Sequence, residues 1–141
     1  MKNAYLILFT LFMVSCAGQP ENKKNEKDFL NSIVGKWSLF EMKGFSNTDI
    51  KNLRKAPFIQ FEGNKINGSN GCNNFFSSIA SITKNTITFS AFGETKMMCQ
   101  EMKIPDNFGR LISNIDTYLI KDNTIVFLNK ENEKILSFTK E

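Results

Sequence analysis

The sequence predicts one small α+β domain that is mostly β-structure. Its 141 residues include 14 Phe, and short β-prone runs recur between Asn, Gly, Lys and Ser, which is the pattern of strands joined by polar turns. Helical spacing of apolar residues is clear only after Pro105, which predicts one main helix. A chain of this length, less a presequence, can build one hydrophobic core, so we expect a single domain.

The first 15 residues have the three parts of an export signal. Lys2 gives a basic start, residues 4–14 are apolar, and a small residue precedes Cys16. The apolar run is too short to span a bilayer stably. The sequence MVSC at residues 13–16 resembles the bacterial lipobox, although Leu is more usual than Met at its first position. We predict cleavage before Cys16 and lipidation of its thiol, and an ordinary secretory signal is the alternative.

Residues 16–28 are rich in Gln, Asn, Lys and Glu and have almost nothing apolar. Such a segment cannot bury a core, so we predict a flexible, lipid-anchored tether. Two or three acyl chains make membrane anchoring effectively permanent. The expected location is therefore the cell envelope, and Ala17-Gly18, in place of an Asp that favours inner-membrane retention, points to the outer membrane.

The domain itself is predicted over residues 29–141. Apolar residues at positions 29, 30, 33 and 34 are spaced for a short helical turn that leads to Gly35. The dipeptide Gly63-Asn64 is suited to a tight hairpin turn between two of the strands that follow. These strands are predicted over residues 37–42, 58–61, 65–67, 79–82 and 86–89.

The C-terminal part is predicted to combine the main helix with a meander. Pro105 suits the first turn of the helix, and residues 114–116 are expected to close it. Its apolar residues have helical spacing at positions 108, 111, 112 and 115. Three β-prone runs follow, separated by short polar turns, at residues 117–120, 124–128 and 134–138.

Composition argues against several classes of function. The chain has no His, which removes the commonest general base and the commonest metal ligand. The formal net charge is +4, and the basic residues are dispersed, so nucleic acid is not an expected partner. We predict no enzyme activity, no metal and no cofactor.

Three local motifs follow one another in the domain: GKW at residues 35–37, GSNGCN at 68–73 and TKMMC at 95–99. Together they resemble the META domain family (HslJ-like), and the similarity covers residues 29–141. The residues of these signatures that we single out are Gly35, Trp37, Gly68, Gly71, Cys72, Asn73, Thr95, Lys96, Met97, Met98 and Cys99. The resemblance implies a strongly curved, partly barrel-like antiparallel sheet with the helix packed against it. It also implies a role in the bacterial envelope, in stress or drug tolerance, and it brings no catalytic residues.

The cysteines are expected to form one disulfide. With Cys16 assigned to lipid, Cys72 and Cys99 remain as a pair in an oxidising compartment. The alternative is two buried free thiols that pack as small hydrophobic side chains.

Methionine is concentrated around Cys99, at positions 97, 98 and 102. Thioether and thiolate ligands suit Cu(I), which makes a soft-metal site one interpretation. Because no His or second Met cluster completes the ligand set, we instead predict positions in a core strand or a loop.

The other singled-out residues are expected to be structural. Gly68 and Gly71 are predicted in turns or close backbone approaches, since the Lys and Ser/Thr of a phosphate-binding loop are missing. Trp37 is predicted to anchor the core. The nearby acidic residues are predicted to lie on the solvated surface; they are Glu94, Glu101 and Asp106.

Two hypotheses of function follow. The first is a non-enzymatic envelope lipoprotein that supports stress tolerance by binding a protein or another envelope component through its sheet face or loops. The second is a protein that binds a small apolar ligand in a cavity inside the curved sheet. That cavity would be lined by Phe61, Phe75, Phe76 and Phe89.

Overall fold

The computed structural model describes residues 21–141, which form one antiparallel sheet and three helices. The predicted signal sequence, the lipidation site Cys16 and the beginning of the predicted tether lie outside the described residues. No helix in the described part of the chain is long and apolar enough to cross a membrane.

The elements follow the predicted order, with additions. The helices are α1 (Glu21–Ile33), α2 (Asn47–Lys51) and α3 (Lys103–Ile112). The strands are β1 (Gly35–Met42), β2 (Phe58–Glu62), β3 (Lys65–Ser69), β4 (Asn74–Ile82), β5 (Ile87–Phe89), β6 (Gly93–Glu94), β7 (Thr117–Lys121), β8 (Thr124–Leu128) and β9 (Lys134–Lys140). The strand order in the sheet is β5-β4-β3-β2-β1-β9-β8-β7, and β6 pairs with β4. The C-terminal meander is therefore confirmed.

The sheet curves until its two outer strands nearly meet. The N–H of Ile87 donates to the carbonyl of Asp116 at 3.1 Å, and the N–H of Tyr118 donates to the carbonyl of Asn85 at 2.8 Å. These bonds join the start of β5 to the start of β7. The predicted α+β class, with a curved, partly barrel-like sheet and a main helix packed against it, is confirmed.

Tyr118 adds a side-chain bond at this seam, and its loss should be measurable. Its phenol donates to the carbonyl of Thr83 at 2.8 Å, and burial raises its pKa above the ordinary value of 10.0. Because the folded state holds the proton more tightly, the stability from this group is complete below about pH 10 and is lost as the pH rises through the raised pKa. We expect Tyr118→Phe to cost about 1 kcal/mol at neutral pH. In urea titrations the variant should lose less stability than the unmodified protein on going to alkaline pH, and an equal alkaline loss in both proteins would contradict this.

The interior of the curved sheet is filled by side chains. Phe108 of α3 packs against Phe138 and Phe75, with ring centroids 6.2 Å and 5.6 Å away. The largest fully buried side chains are Trp37, Phe61, Phe108, Phe127 and Phe138. Trp37 is thus a core residue, as predicted, and α3 completes the core on its open side.

A ligand cavity inside the sheet, lined by four Phe, is not what the structure shows. Phe61 and Phe75 are buried in the packed core, and Phe89 packs against it. Phe76 is 65% exposed, because it lies on the outer face of β4 and covers Gly93 of β6. The four rings therefore do not surround one space, and that part of the second hypothesis is wrong.

The N-terminal end of the described chain also differs from expectation. Residues 21–28 belong to α1, where the sequence predicts a flexible tether. Glu and Lys favour a helix, and the apolar Phe29, Leu30 and Ile33 dock its last turns on the core. The indole N–H of Trp37 donates to the carbonyl of Ile33 at 2.7 Å, which ties the end of α1 to the first strand.

Candidate functional site

The GSNGCN and TKMMC signatures, distant in sequence, lie against each other. The sulfurs of Cys72 and Cys99 are 2.12 Å apart and their Cα atoms 6.0 Å apart, which is disulfide geometry. The predicted cysteine pairing therefore agrees with the structure. The disulfide joins the loop between β3 and β4 to the segment that leads into α3.

Asn73, which is buried, strengthens this junction with its side-chain amide. Its Oδ1 accepts from the N–H of Met97 at 2.7 Å and from the hydroxyl of Thr95 at 2.9 Å. Its Nδ2 donates to the carbonyl of Met97 at 3.3 Å. The amide thus pairs with both backbone groups of Met97, as a neighbouring strand would. We name the Cys72–Cys99 disulfide together with Asn73, Thr95 and Met97 the signature clasp.

The turn that carries Cys72 and Asn73 is shaped by the residues before them. The side-chain oxygen of Asn70 accepts from the backbone N–H groups of Cys72 and Asn73, at 3.0 and 2.6 Å. Gly71 has a φ of 102°, and a Cβ there would stand 2.7 Å from a side-chain carbon of Leu53. A Cβ on Gly68 would stand 2.3 Å from the carbonyl oxygen of Phe58. Both glycines are needed for a turn and a close backbone approach, as predicted.

Met97 and Met98 form an exposed apolar ridge beside the clasp, which we name the methionine ridge. Their side chains are 52% and 89% exposed. The backbone of Met97 is held by Asn73 and that of Cys99 by the disulfide, so Met98 lies between two fixed points. The prediction of a loop position is confirmed, but neither side chain is in the core.

The ridge forms one wall of a groove of about 780 Å³, whose opposite wall is α3. Its aromatic lining residues are Phe75, Phe92 and Phe108, of which only Phe92 is partly exposed, whereas Phe75 and Phe108 belong to the core behind it. Phe92 meets Phe75 edge to face, with centroids 6.1 Å apart. The charged residues that line the groove are two acidic and two basic: Glu94, Asp106, Lys96 and Arg110.

A second groove, of about 1070 Å³, lies on the other side of Met98. Phe45, Leu53 and Ile104 contribute its apolar part. Its charged lining residues are again balanced in sign: Asp49, Glu101, Arg54 and Lys103. Met98 therefore separates two grooves whose rims carry no excess of either charge.

The methionine ridge offers apolar side-chain surface for contact. Glu94, Glu101 and Asp106 are exposed, as predicted for solvated acids. The sulfurs of Cys72 and Cys99 are joined in the disulfide. The sulfur of Met102 accepts a hydrogen bond from the N–H of Cys99 at 3.3 Å. Within residues 21–141 no group of three or more His, Cys, Asp or Glu side chains is placed to hold a metal ion.

The GKW signature lies elsewhere, at the start of β1, and of its three residues only Trp37 is in the core. Gly35 has a φ of 120°, and a Cβ there would stand 3.2 Å from Cε of Lys140. The ammonium of Lys140 also lies 5.2 Å from the ring of Trp37. What the sequence did not reveal is the network of Asn73, Thr95 and Met97, because residues more than 20 positions apart along the chain give no local pattern.

Solved structures with the same fold support this architecture. The chain resembles a protein solved by NMR (18% identity, TM-score 0.60, covering 77% of this chain and 90% of that one). It also resembles an NMR structure of a protein from Burkholderia xenovorans, with 14% identity and a TM-score of 0.60, over 82% of this chain and 88% of that one. A third similar structure is that of a DUF4847 family protein from Bacteroides vulgatus, with 16% identity and a TM-score of 0.55, over 77% of this chain and 94% of that one. At these identities the likeness concerns the fold alone, and no curated protein matches the chain.

The family follows from the sequence match. The model of the META domain matches residues 17–141, nearly the whole chain. This match includes all three signatures, two of which build the clasp. The protein therefore belongs to the META domain family.

Proposed function

We propose that this protein is a non-enzymatic, lipid-anchored envelope protein that supports stress or drug tolerance by binding an apolar segment of a partner protein at the methionine ridge. The observation that carries the proposal is the 89% exposure of Met98 at a position that the fold fixes. The lipid anchor and the envelope location rest on the sequence of residues 1–16.

An apolar partner fits the composition of the ridge and its grooves. Exposed apolar side chains that adjoin aromatic pockets are typical of protein-binding sites. The thioether is flexible and polarisable, so it can adapt to differently shaped apolar side chains. Because the charges around both grooves balance, the site has no electrostatic preference for phosphate groups or for a strongly charged segment.

The side chains around the ridge favour a binding role over catalysis. The amide of Asn73 and the hydroxyl of Thr95 are engaged in the clasp. The chain has no His to serve as a general base. These observations support a non-enzymatic role without identifying the partner.

A small apolar ligand is the second candidate, at a different place from the one the sequence suggested. The partly exposed Phe92 and the methionines that line the groove favour it, since apolar and aromatic linings are usual in ligand pockets. Such a ligand would occupy the groove beside α3 rather than the interior of the sheet.

The first test is site-specific photocrosslinking of the full chain in the cells that produce it. With a photoreactive phenylalanine analogue in place of Met98, we expect one discrete protein adduct. The same analogue at Leu119, which is also exposed but lies on β7 outside both grooves, is the matched control and should give little of it. Equal adducts at both positions would contradict a docking role of the ridge, and a small-molecule adduct alone would favour the second candidate.

The captured partner then allows a quantitative prediction. We expect Met98→Asp to weaken its affinity by about tenfold or more, because burying a carboxylate against an apolar surface is costly. Leu119→Asp should leave the affinity unchanged. Titration calorimetry with the purified proteins measures both, and equal effects of the two substitutions would refute the assignment of the site.

A further inference from the structure

We propose that Met98 is an oxidant-sensitive site: peroxides convert its thioether to the sulfoxide ahead of the other described methionines, and this changes the methionine ridge from apolar to polar. The order of oxidation follows from the structure alone. Its effect on a partner rests on the proposed function.

The four described methionines differ widely in access to their sulfur. Met98 is 89% exposed and Met97 52%, whereas Met42 is 1% exposed. Met102 is partly buried, and its sulfur accepts the N–H of Cys99 at 3.3 Å, which engages a lone pair that an oxidant needs. Since the oxidant must reach the sulfur directly, the rates should fall in the order Met98, Met97, Met102, Met42.

The clasp ties the residues on both sides of Met98. The amide of Asn73 binds both backbone groups of Met97, and the disulfide holds Cys99. Met98 is thus 89% exposed in a loop whose flanking residues are both joined to the β3–β4 loop. An oxidisable side chain is therefore held in solvent, where most proteins of this size place polar residues.

The reaction needs no group from the protein. A lone pair of the sulfur attacks one oxygen of hydrogen peroxide, and the S–O bond forms as the O–O bond breaks. The sulfur loses two electrons to the peroxide, and the proton of the transferred oxygen passes to the other oxygen, which leaves as water. Organic peroxides react in the same way and leave as the alcohol.

The product changes what the ridge can bind. A sulfoxide is polar and accepts hydrogen bonds, so an apolar partner would have to desolvate it without offering a donor. No atom of the clasp is altered, so the fold is expected to persist. The change is confined to the surface between the two grooves.

The order of oxidation is tested on the full-length protein with graded hydrogen peroxide, followed by peptide mass spectrometry. We expect Met98 to be oxidised first and about tenfold or more faster than Met42, because only the former sulfur is open to solvent. In guanidinium the rates should converge, which shows that the fold causes the difference. Oxidation of Met42 or Met102 as fast as Met98 in the folded protein would overturn the proposal.

The polarity change is tested by hydrophobic-interaction chromatography with Met98→Leu as the matched variant. This variant keeps the apolar bulk but has no sulfur at position 98. Peroxide should make the unmodified protein elute earlier and should shift the variant much less. An equal shift in elution of both proteins would overturn the proposed change in polarity at Met98, whether or not a partner has been captured.

The captured partner separates this proposal from the proposed function. At a peroxide dose that oxidises Met98 but not Met97, binding to the unmodified protein should weaken by about tenfold, as for a polar group introduced at an apolar contact, and binding to Met98→Leu should be spared. Unchanged affinity after complete oxidation of Met98 would overturn the proposed effect of oxidation on binding but would not contradict the docking site. Failure to capture any partner, with the order of oxidation as expected, would count against the proposed function alone.

Discussion

Replacing both Cys72 and Cys99 with serine is expected to lower the free energy of unfolding by about 3.5 kcal/mol, from the loop-closure entropy of a cross-link that spans 27 residues. Without the cross-link, the unfolded chain gains conformations that the disulfide excludes. Denaturant titration of the oxidised protein, the reduced protein and the double variant measures the effect. Reduction should bring the unmodified protein close to the variant and should leave the variant itself unchanged.

The same loss should loosen one segment in particular. The backbone N–H of Cys99 bonds to the sulfur of Met102, and that of Lys103 bonds to the carboxylate of Glu101, so these bonds remain within residues 99–103. The disulfide therefore provides the connection of this segment to the β3–β4 loop. Limited trypsin digestion should accelerate at Lys103 after reduction. A stability change well below about 1 kcal/mol, with no new cleavage there, would mean that the clasp does not depend on the disulfide.

Asn73→Ala is expected to cost about 2–4 kcal/mol, because the substitution removes three part-buried hydrogen bonds of about 1 kcal/mol each. The N–H and the carbonyl of Met97 both lose a hydrogen bond, and so does the hydroxyl of Thr95. Thermal and chemical denaturation of the oxidised protein measure the loss. We also expect the disulfide to stay formed, since the two cysteines are unchanged.

Asn74 offers a matched control for this prediction. Its side chain is the same as that of Asn73 and adjoins it in sequence, but it is exposed and its oxygen accepts from Lys55. Asn74→Ala should therefore change stability by less than about 0.5 kcal/mol. If the two alanine variants were equally stable, the clasp would not depend on the amide of Asn73.

The sequence predicted the elements that have strong local patterns. The meander of β7, β8 and β9 was found because its polar turns separate clear β-prone runs, and α3 because its apolar residues repeat at helical spacing. The helix α2 was missed because it has only five residues. Its capping box, in which Ser46 and Asp49 bond reciprocally, is the local signal that could have revealed it. The two residues of β6 carry no pattern at all.

The candidate site was only partly predictable for a related reason. The cysteine pair followed from counting, because an export signal predicts an oxidising compartment, in which the two cysteines left after Cys16 have only each other as partners. The exposure of Met98 did not, since an apolar side chain is expected inside unless the backbone forbids it. In the structure Met98 follows a residue bonded to the amide of Asn73, a contact between positions 73 and 97 that no periodicity encodes.

The hydrogen bond from Trp37 to the last carbonyl of α1 also bears on the distance between the domain and the membrane. It joins the end of α1, a helix about 20 Å long for its 13 residues, to the first strand of the barrel. If Cys16 carries the lipid, the five peptide units from Cys16 to Glu21 add at most about 17 Å. The barrel would then remain close to the bilayer surface. Any protein that it meets there must itself lie at, or come to, the membrane surface.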